Sequence, residues 1–115
     1  LLGSLGTAPL HPSVFASFHA LLPTNAIWSV AGIGNYQLDA NIMSLAYGGH
    51  VRVGLEDNIY FDRSKTKVCR NEDLIERLIK IMDLMGLKPA TAQETAAKLG
   101  LRKFLNGNPN VSSGL

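Results

Sequence analysis

The sequence predicts an α/β fold in which two parallel β-strands, flanked by helices, belong to a larger parallel sheet. Three observations carry this. Apolar, β-branched runs over 27–31 and 50–55 enclose a single helical pattern over 36–47, a strand–helix–strand unit that implies a parallel pair. Both strands read as buried on two faces, the pattern of parallel sheets covered on both sides. A two-stranded sheet is marginal by itself, so further strands are expected, either from more of the same chain or from a partner.

The elements follow in order. Residues 1–10 are rich in small residues and read as a loop. Pro12 suits a first helical position, and Val14, Phe15, Phe18, Leu21 and Leu22 recur at helical spacing until Pro23 stops the helix. His11 and His19, on or beside this helix, read as cap or surface residues. The strand over 27–31 runs into Gly32-Ile33-Gly34-Asn35, and a helix over 36–47 follows with Leu38, Ile42, Leu45 and Ala46 as its buried stripe. A Gly-x-Gly between strand and helix is a tight turn that also brings backbone N–H groups to the helix's positive end, where a phosphate is favoured. Gly48-Gly49 ends the helix and leads into the strand over 50–55. Asp62–Lys67 reads as a polar loop at that strand's C-terminal side. Asn71 is a good N-cap for a helix over 72–85, with Glu72 and Asp73 in its first turn and Gly86 just past its end. Leu74, Ile75, Leu78, Ile79, Met82 and Met85 give it a broad apolar face. Thr91-Ala92-Gln93-Glu94 is a capping box for a short helix over 92–99. Residues 1–101 thus form one structural region, and 102–115 read as a flexible tail.

Composition narrows the function. The chain has 115 residues, is 46% hydrophobic and carries a formal charge of +2, enough to bury a core and too little to suggest nucleic-acid binding; the Lys and Arg residues read as scattered. The single cysteine, Cys69, excludes an internal disulfide and fits a reducing, cytoplasmic setting. No apolar run approaches the ~20 residues of a membrane span. Leu1 is neither an initiator Met nor preceded by a basic flank, which reads as a chain beginning part-way through a protein.

The chemistry concentrates at the second strand. In Gly48-Gly49-His50-Val51-Arg52-Val53-Gly54-Leu55-Glu56-Asp57-Asn58, Val51, Val53 and Leu55 point one way, and Arg52, Gly54 and Glu56 the other. A cation and a carboxylate on an otherwise apolar strand are expensive to bury unless they are paired or bound to a metal or ligand. An Arg52–Glu56 ion pair and a ligand site are both consistent with the spacing. Gly54 between them marks a bulge or a close approach, and the C-terminal ends of strands are where α/β folds carry out their chemistry.

The strings Trp28-Ser29-Val30-Ala31-Gly32-Ile33-Gly34 and Gly49 to Asn58, then Asn71-Glu72 and Ala90-Thr91, closely resemble the C-terminal end of the β-keto acid cleavage enzymes, typified by the 3-keto-5-aminohexanoate cleavage enzyme of lysine fermentation. The resemblance spans residues 10–101. It implies a (β/α)8 TIM barrel, a fold of roughly 250 residues, with the strands over 27–31 and 50–55 as its last two. It implies a divalent metal, usually zinc, transfer of the acyl part of a β-keto acid to coenzyme A with acetyl-CoA as co-substrate and acetoacetate as product, and a homo-oligomer when full length. By the same resemblance Glu56 is the carboxylate ligand of the metal, Asp57 a catalytic acid/base, and Arg52 the group that binds the substrate carboxylate. Gly32, Gly34 and Asn35 are the candidates for coenzyme A phosphate binding; the family commonly has Arg where this chain has Asn35. The loop over 62–70 is more basic than the family pattern. The family's two histidine ligands form a His-x-His pair in the N-terminal part of the barrel, outside this chain. His50 is six residues from Glu56, about 20 Å at strand rise, and cannot replace them. The 115-residue chain alone is therefore expected to be inactive. Two other readings compete: a non-catalytic phosphate- or nucleotide-binding module centred on Gly32-Ile33-Gly34, and a half-barrel that completes itself by pairing with another chain.

Overall fold

The computed structural model describes residues 1–101. The tail read over 102–115 lies outside the described residues. Two compact units are present, Leu1–Ile81 and a second from Met82 onward. The elements are α1 (Pro12–Ala20), β1 (Ser29–Val30), a 3-10 turn (Gly34–Tyr36), α2 (Gln37–Ala46), β2 (His50–Val51), α3 (Asn71–Leu84) and α4 (Ala92–Lys98). No helix among the described residues is long and apolar enough to cross a membrane.

β1 and β2 pair in parallel, with Ser29 opposite His50 and Val30 opposite Val51. They are shorter than the runs over 27–31 and 50–55. Past the paired residues, ladder bonds run from His50 N–H to the Trp28 carbonyl (2.9 Å) and from Arg52 N–H to the Val30 carbonyl (3.3 Å). Beyond them the chain turns, with the Gly54 carbonyl accepting from Asp57 N–H (3.1 Å) and Asn58 N–H (3.3 Å). The apolar run therefore continues past the point where it has a neighbour to pair with.

The N-terminal segment is not merely a loop. Leu2 donates to the Ala31 carbonyl (2.9 Å), and its own carbonyl accepts from Ile33 N–H (3.0 Å). Backbone groups of alternate strand residues point to opposite edges. Val30 faces β2, so Ala31 and Ile33 face away from it, and Leu2 forms a third line on the far edge, in a parallel bridge to Gly32. Leu2 is buried and joins Phe15, Val30 and Ala40 in the core, with Ala8, Leu10, Trp28 and Met43 packed against them.

α1 starts at Pro12 with His11 as its cap: His11 Nδ1 accepts from Ser13 N–H (3.3 Å). His19 packs on Phe15, Trp28 and Tyr47, with ring centroids 5.2 Å from Trp28 and 5.3 Å from Tyr47.

Of the apolar stripe expected for α2, Leu45 is buried and Leu38 half-buried. Ile42 and Ala46 are exposed, whereas Gln37, Asn41 and Ser44 are almost completely buried beside Ala40 and Leu45. The Ser44 hydroxyl donates to the His50 carbonyl (2.5 Å) and Gln37 Nε2 to the Gly54 carbonyl (3.0 Å). A helix packed across the ends of two short strands meets strand carbonyls, and its polar side chains bond them.

The strands are also buried on one face only. Val30 faces α2, while Ile27 and Ser29 are exposed on the opposite side. In α3 only Leu74 and Leu78 are buried; Ile75 and Ile79 are 49% and 45% exposed, so the described residues cover that flank only in part. Asn71 lies inside α3 rather than capping it. Its Oδ1 accepts from Leu55 N–H (3.1 Å), and the cap is completed by Asp73 Oδ2 accepting from Arg70 N–H (2.8 Å). That contact holds the Asp73 carboxyl below its ordinary range.

In the second unit, Gly86 (φ 71°) closes the helix end, with Leu87 N–H on the Met82 carbonyl (2.8 Å) and Gly86 N–H on the Asp83 carbonyl (3.0 Å). Both halves of the Thr91–Glu94 capping box form, with Glu94 N–H on Thr91 Oγ1 (3.2 Å) and Thr91 N–H on Glu94 Oε2 (2.8 Å).

Candidate functional site

The site lies where β1 and β2 end, because the turn after each strand is folded back and tied to the other. After β2 the Gly54–Asp57 turn reverses the chain. The Glu56 carboxylate folds back close to Gly54, where a Cβ would displace it. The reversal breaks the strand alternation and returns Asp57, not Glu56, to Arg52. Arg52 Nε donates to Asp57 Oδ2 (3.0 Å) and Nη2 to Oδ1 (2.6 Å), a two-pronged pair. The Asp57 side chain is 3% exposed and that of Arg52 47%. The hydrogen bonds to Asp57, its charge, and more weakly the charge of Glu56 raise the Arg52 pKa above its ordinary value.

An Arg52–Glu56 ion pair, one of the two possibilities left by the spacing, is thus not what forms. Glu56 is exposed and takes part in no hydrogen bond or ion pair among the described residues. The two adjacent carboxylates therefore occupy opposite situations, one buried and gripped by a cation, the other open to solvent.

After β1, Gly32 and Gly34 serve different ends. A Cβ at Gly32 would collide with the Tyr36 carbonyl and with Ala40, so this glycine lets α2 approach the strand closely. Gly34 has φ 58°, in the left-handed region, and open space around it. Its N–H donates to the Asp57 carbonyl (2.7 Å) and is not aimed at an outside phosphate. Asn35 is exposed in the 3-10 turn. The structure therefore brings Arg52, Asp57 and Gly34 into direct contact.

Two positioning residues are not evident from apolar spacing. Gln37 holds the Gly54 carbonyl and Asn71 holds the Leu55 amide, so the peptide group that opens the turn carrying Glu56 and Asp57 is fixed on both sides from helices. The repeat Gln37, Asn41, Ser44 on one helix face is the signal for the first; Gln37 Oε1 and both polar side-chain atoms of Asn41 have no partner among the described residues. For Asn71 its good cap chemistry conceals the longer-range role.

Among the described residues no three His, Cys, Asp or Glu side chains gather as a metal cluster. These residues offer one exposed carboxylate donor, Glu56, and not the set of three or four protein ligands that a zinc site uses. An apolar cleft of about 200 Å³ lies between α1 and β1, lined by Leu2, Phe15, Phe18, His19 and Trp28. None of the strand-end charged residues lines it, so it is not where their chemistry would take place.

A family model described as beta-keto acid cleavage enzyme matches residues 1–101. The chain is 37% identical over 82 residues to the 3-keto-5-aminohexanoate cleavage enzyme of Fusobacterium nucleatum subsp. nucleatum, covering 71% of this chain and 30% of the relative. It is 36% identical over 104 residues to the 3-oxoadipate:acetyl-CoA acetyltransferase of Cupriavidus necator (88% and 36%). It is 32% identical over 96 residues to the 3-dehydrocarnitine:acetyl-CoA trimethylamine transferase of Rhizobium meliloti (84% and 31%). The chain spans between 30% and 36% of the length of these curated relatives.

Proposed function

The chain belongs to the β-keto acid cleavage enzyme family, and from that premise we propose that it supplies the last two strands of a (β/α)8 barrel that moves the acyl part of a β-keto acid onto coenzyme A. In the reaction, R–CO–CH2–COO⁻ and acetyl-CoA give R–CO–CoA and acetoacetate, so the acyl–methylene bond of the keto acid breaks and the acetyl group takes the acyl group's place. The names of the relatives, each an enzyme of keto acids or of transfer from acetyl-CoA, support this reading. So does the exposed strand face bearing Ile27 and Ser29, which a barrel interior would enclose.

The observation that carries the proposal is the division of labour between Glu56 and Asp57. Asp57 is buried and oriented by Arg52, as expected of a group that takes a proton from the methylene between keto and carboxylate groups. Arg52 has five N–H donors and gives two to Asp57. The remaining edge, on a side chain that is 47% exposed, is available to the substrate carboxylate, so one guanidinium can hold substrate and base in register. Glu56, exposed and unpaired, is the proposed ligand of a divalent metal, zinc by the resemblance, whose other ligands would come from outside residues 1–101. Such an ion supplies Lewis-acid polarisation of the keto oxygen when bound. Asn35 is the residue of the glycine turn open to the co-substrate.

The test uses the full-length gene product, assayed with acetyl-CoA and a panel of β-keto acids alongside metal analysis. Stoichiometric metal that is lost in Glu56→Ala, with acetoacetate released by the wild type, is expected. Metal retained in Glu56→Ala would remove that ligand assignment, and no turnover of any β-keto acid with metal supplied would remove the acyl-transfer reading.

A further inference from the structure

The chain's positive charge is gathered in one place. Residues 59–70 hold Arg63, Lys65, Lys67 and Arg70 against one carboxylate, Asp62, whereas elsewhere eight acidic residues face seven basic ones. The sequence reading of scattered cations therefore gives way to a local patch, and the structure makes it a shaped one. The segment is a hairpin: Tyr60 bridges Val68 in antiparallel fashion, Phe61 N–H donates to the Lys67 carbonyl (2.8 Å), and Cys69 N–H to the Ile59 carbonyl (3.0 Å).

The tip is held from within and from outside. The Asp62 carboxylate accepts from Thr66 N–H (3.1 Å), Thr66 Oγ1 (2.7 Å), Lys67 N–H (2.6 Å) and the Ser64 hydroxyl. The one negative charge of the segment is thereby committed to the loop itself. Arg77 of α3 donates to the Phe61 carbonyl (2.6 Å) and lies 4.6 Å from the Phe61 ring centroid; Lys67 Nζ lies 4.7 Å from the same ring. Arg63 pairs with Asp39 on α2, and Arg70 with Asp73 (3.5 Å). Lys65 and Lys67 are exposed and form no ion pair among the described residues. Lys65 sits at φ 59°, its N–H on the Asp62 carbonyl (3.2 Å).

We propose that this hairpin tip, through Lys65 and Lys67, binds the 3′-phosphate end of a coenzyme A thioester. The proposal rests on the acetyl-CoA reading above. The hairpin begins two residues after Asp57, so it rises from the strand end that carries the reacting groups. Eight residues separate Asp57 from Lys65, which bounds their distance at roughly 26 Å. A coenzyme A thioester is long, with its thioester at one end and its phosphates at the other. Its phosphates must therefore sit at a rim set well away from the carboxylates, where a cation-rich tip meets them and does not disturb Glu56. Lysines suit a phosphate as mobile point charges, and the Asp62 hub removes much of the ordering that a free loop would undergo on binding.

The experiment is calorimetric binding of coenzyme A and of dephospho-coenzyme A, which lacks only the 3′-phosphate, to the full-length gene product and to the Lys65→Gln/Lys67→Gln variant. The wild type is expected to prefer coenzyme A by about tenfold, as one charge-assisted contact supplies. The variant is expected to lose that preference while its affinity for dephospho-coenzyme A stays within about twofold. Adenosine 3′,5′-bisphosphate is a third ligand; binding it while rejecting coenzyme A would assign the tip to a free nucleotide and overturn the proposal. Equal wild-type affinity for the two coenzymes, or a preference retained in the variant, overturns the proposal alone. No binding of either coenzyme overturns the acetyl-CoA reading and this proposal with it. Lys65→Glu, which reverses one charge at an exposed position, should weaken coenzyme A binding further and leave the far-ultraviolet circular dichroism unchanged.

Discussion

Arg52 and Asp57, five residues apart in the chain, are joined by two hydrogen bonds of 3.0 and 2.6 Å, with the carboxylate buried and the guanidinium half exposed. The pair exists because the Gly54 turn reverses the chain, and the Gly34 amide holds the Asp57 backbone at 2.7 Å from the other side. If Asp57 is the base, its geometry depends on Arg52. Asp57→Asn should lower kcat by about 10²- to 10⁴-fold, the usual worth of a positioned acid/base. Arg52→Lys keeps the charge but not the fork and should lower kcat less, while raising KM for the β-keto acid. Steady-state kinetics on folded protein decide; both variants within threefold of wild type would end the assignment.

The two glycines of the first turn should respond differently to an added methyl group. Gly32→Ala places a Cβ into the Tyr36 carbonyl and should destabilise by about 1–3 kcal/mol, as overpacking does. Gly34→Ala meets open space but carries φ 58°, so it should destabilise by about 1 kcal/mol from backbone conformation alone. Urea midpoints of the two variants give the ranking. Equal losses would mean that the close approach of α2 at Gly32 is not what that glycine provides.

Ile27 tests the barrel. It is 48% exposed among the described residues, on the strand face away from α2. If further strands enclose that face, Ile27→Ala in the full-length protein should cost about 2 kcal/mol or more, as for a buried aliphatic side chain. A loss under about 0.5 kcal/mol, the range of ordinary surface positions, would leave the face open.

Acid should loosen the hairpin tip. Hydrogen bonds from the Ser64 and Thr66 side chains and from the Thr66 and Lys67 amides hold the Asp62 carboxyl well below the usual carboxylate range. A carboxyl whose pKa is lowered by folding contributes order that is fully present above its unfolded pKa, about 3.9 for Asp, and lost as pH falls through the lower folded value. Exchange protection of the Thr66 and Lys67 amides should therefore hold at pH 5 and decline only in strong acid, whereas Asp62→Asn should lack it at every pH. Protection that survives the substitution would show that the strands of the hairpin, not Asp62, order the tip.

Much of the architecture was legible in the chain. Pro12, the Gly86 stop and the Thr91–Glu94 box mark helix ends by interactions that span three or four residues, and such local chemistry can be read directly. The strand–helix–strand unit was equally plain from Val30, Gly32, Gly48 and Val51. The buried face of α2 keeps Leu45 of the expected stripe but not Ile42 and Ala46, because the side turned to the strand ends carries Gln37 and Ser44, which bond the Gly54 and His50 carbonyls. The role of Leu2 was hidden because a single residue in a glycine-rich stretch has no periodicity, and its bonds reach Ala31 and Ile33 about thirty positions away.

What the sequence by itself determined is the set of parts: a parallel pair with its helix, two carboxylates at a strand end, and a string specific enough to identify the family. Only the tertiary structure decided which carboxylate Arg52 takes, that the Gly34 amide faces Asp57, that Asn71 supports Leu55, and that four cations share one hairpin. The division has a physical cause. Propensity, capping and alternation act over a few bonds, whereas these four contacts depend on where a turn returns the chain, and the reversal over Gly54–Asp57 sets which of two neighbouring acids faces the guanidinium.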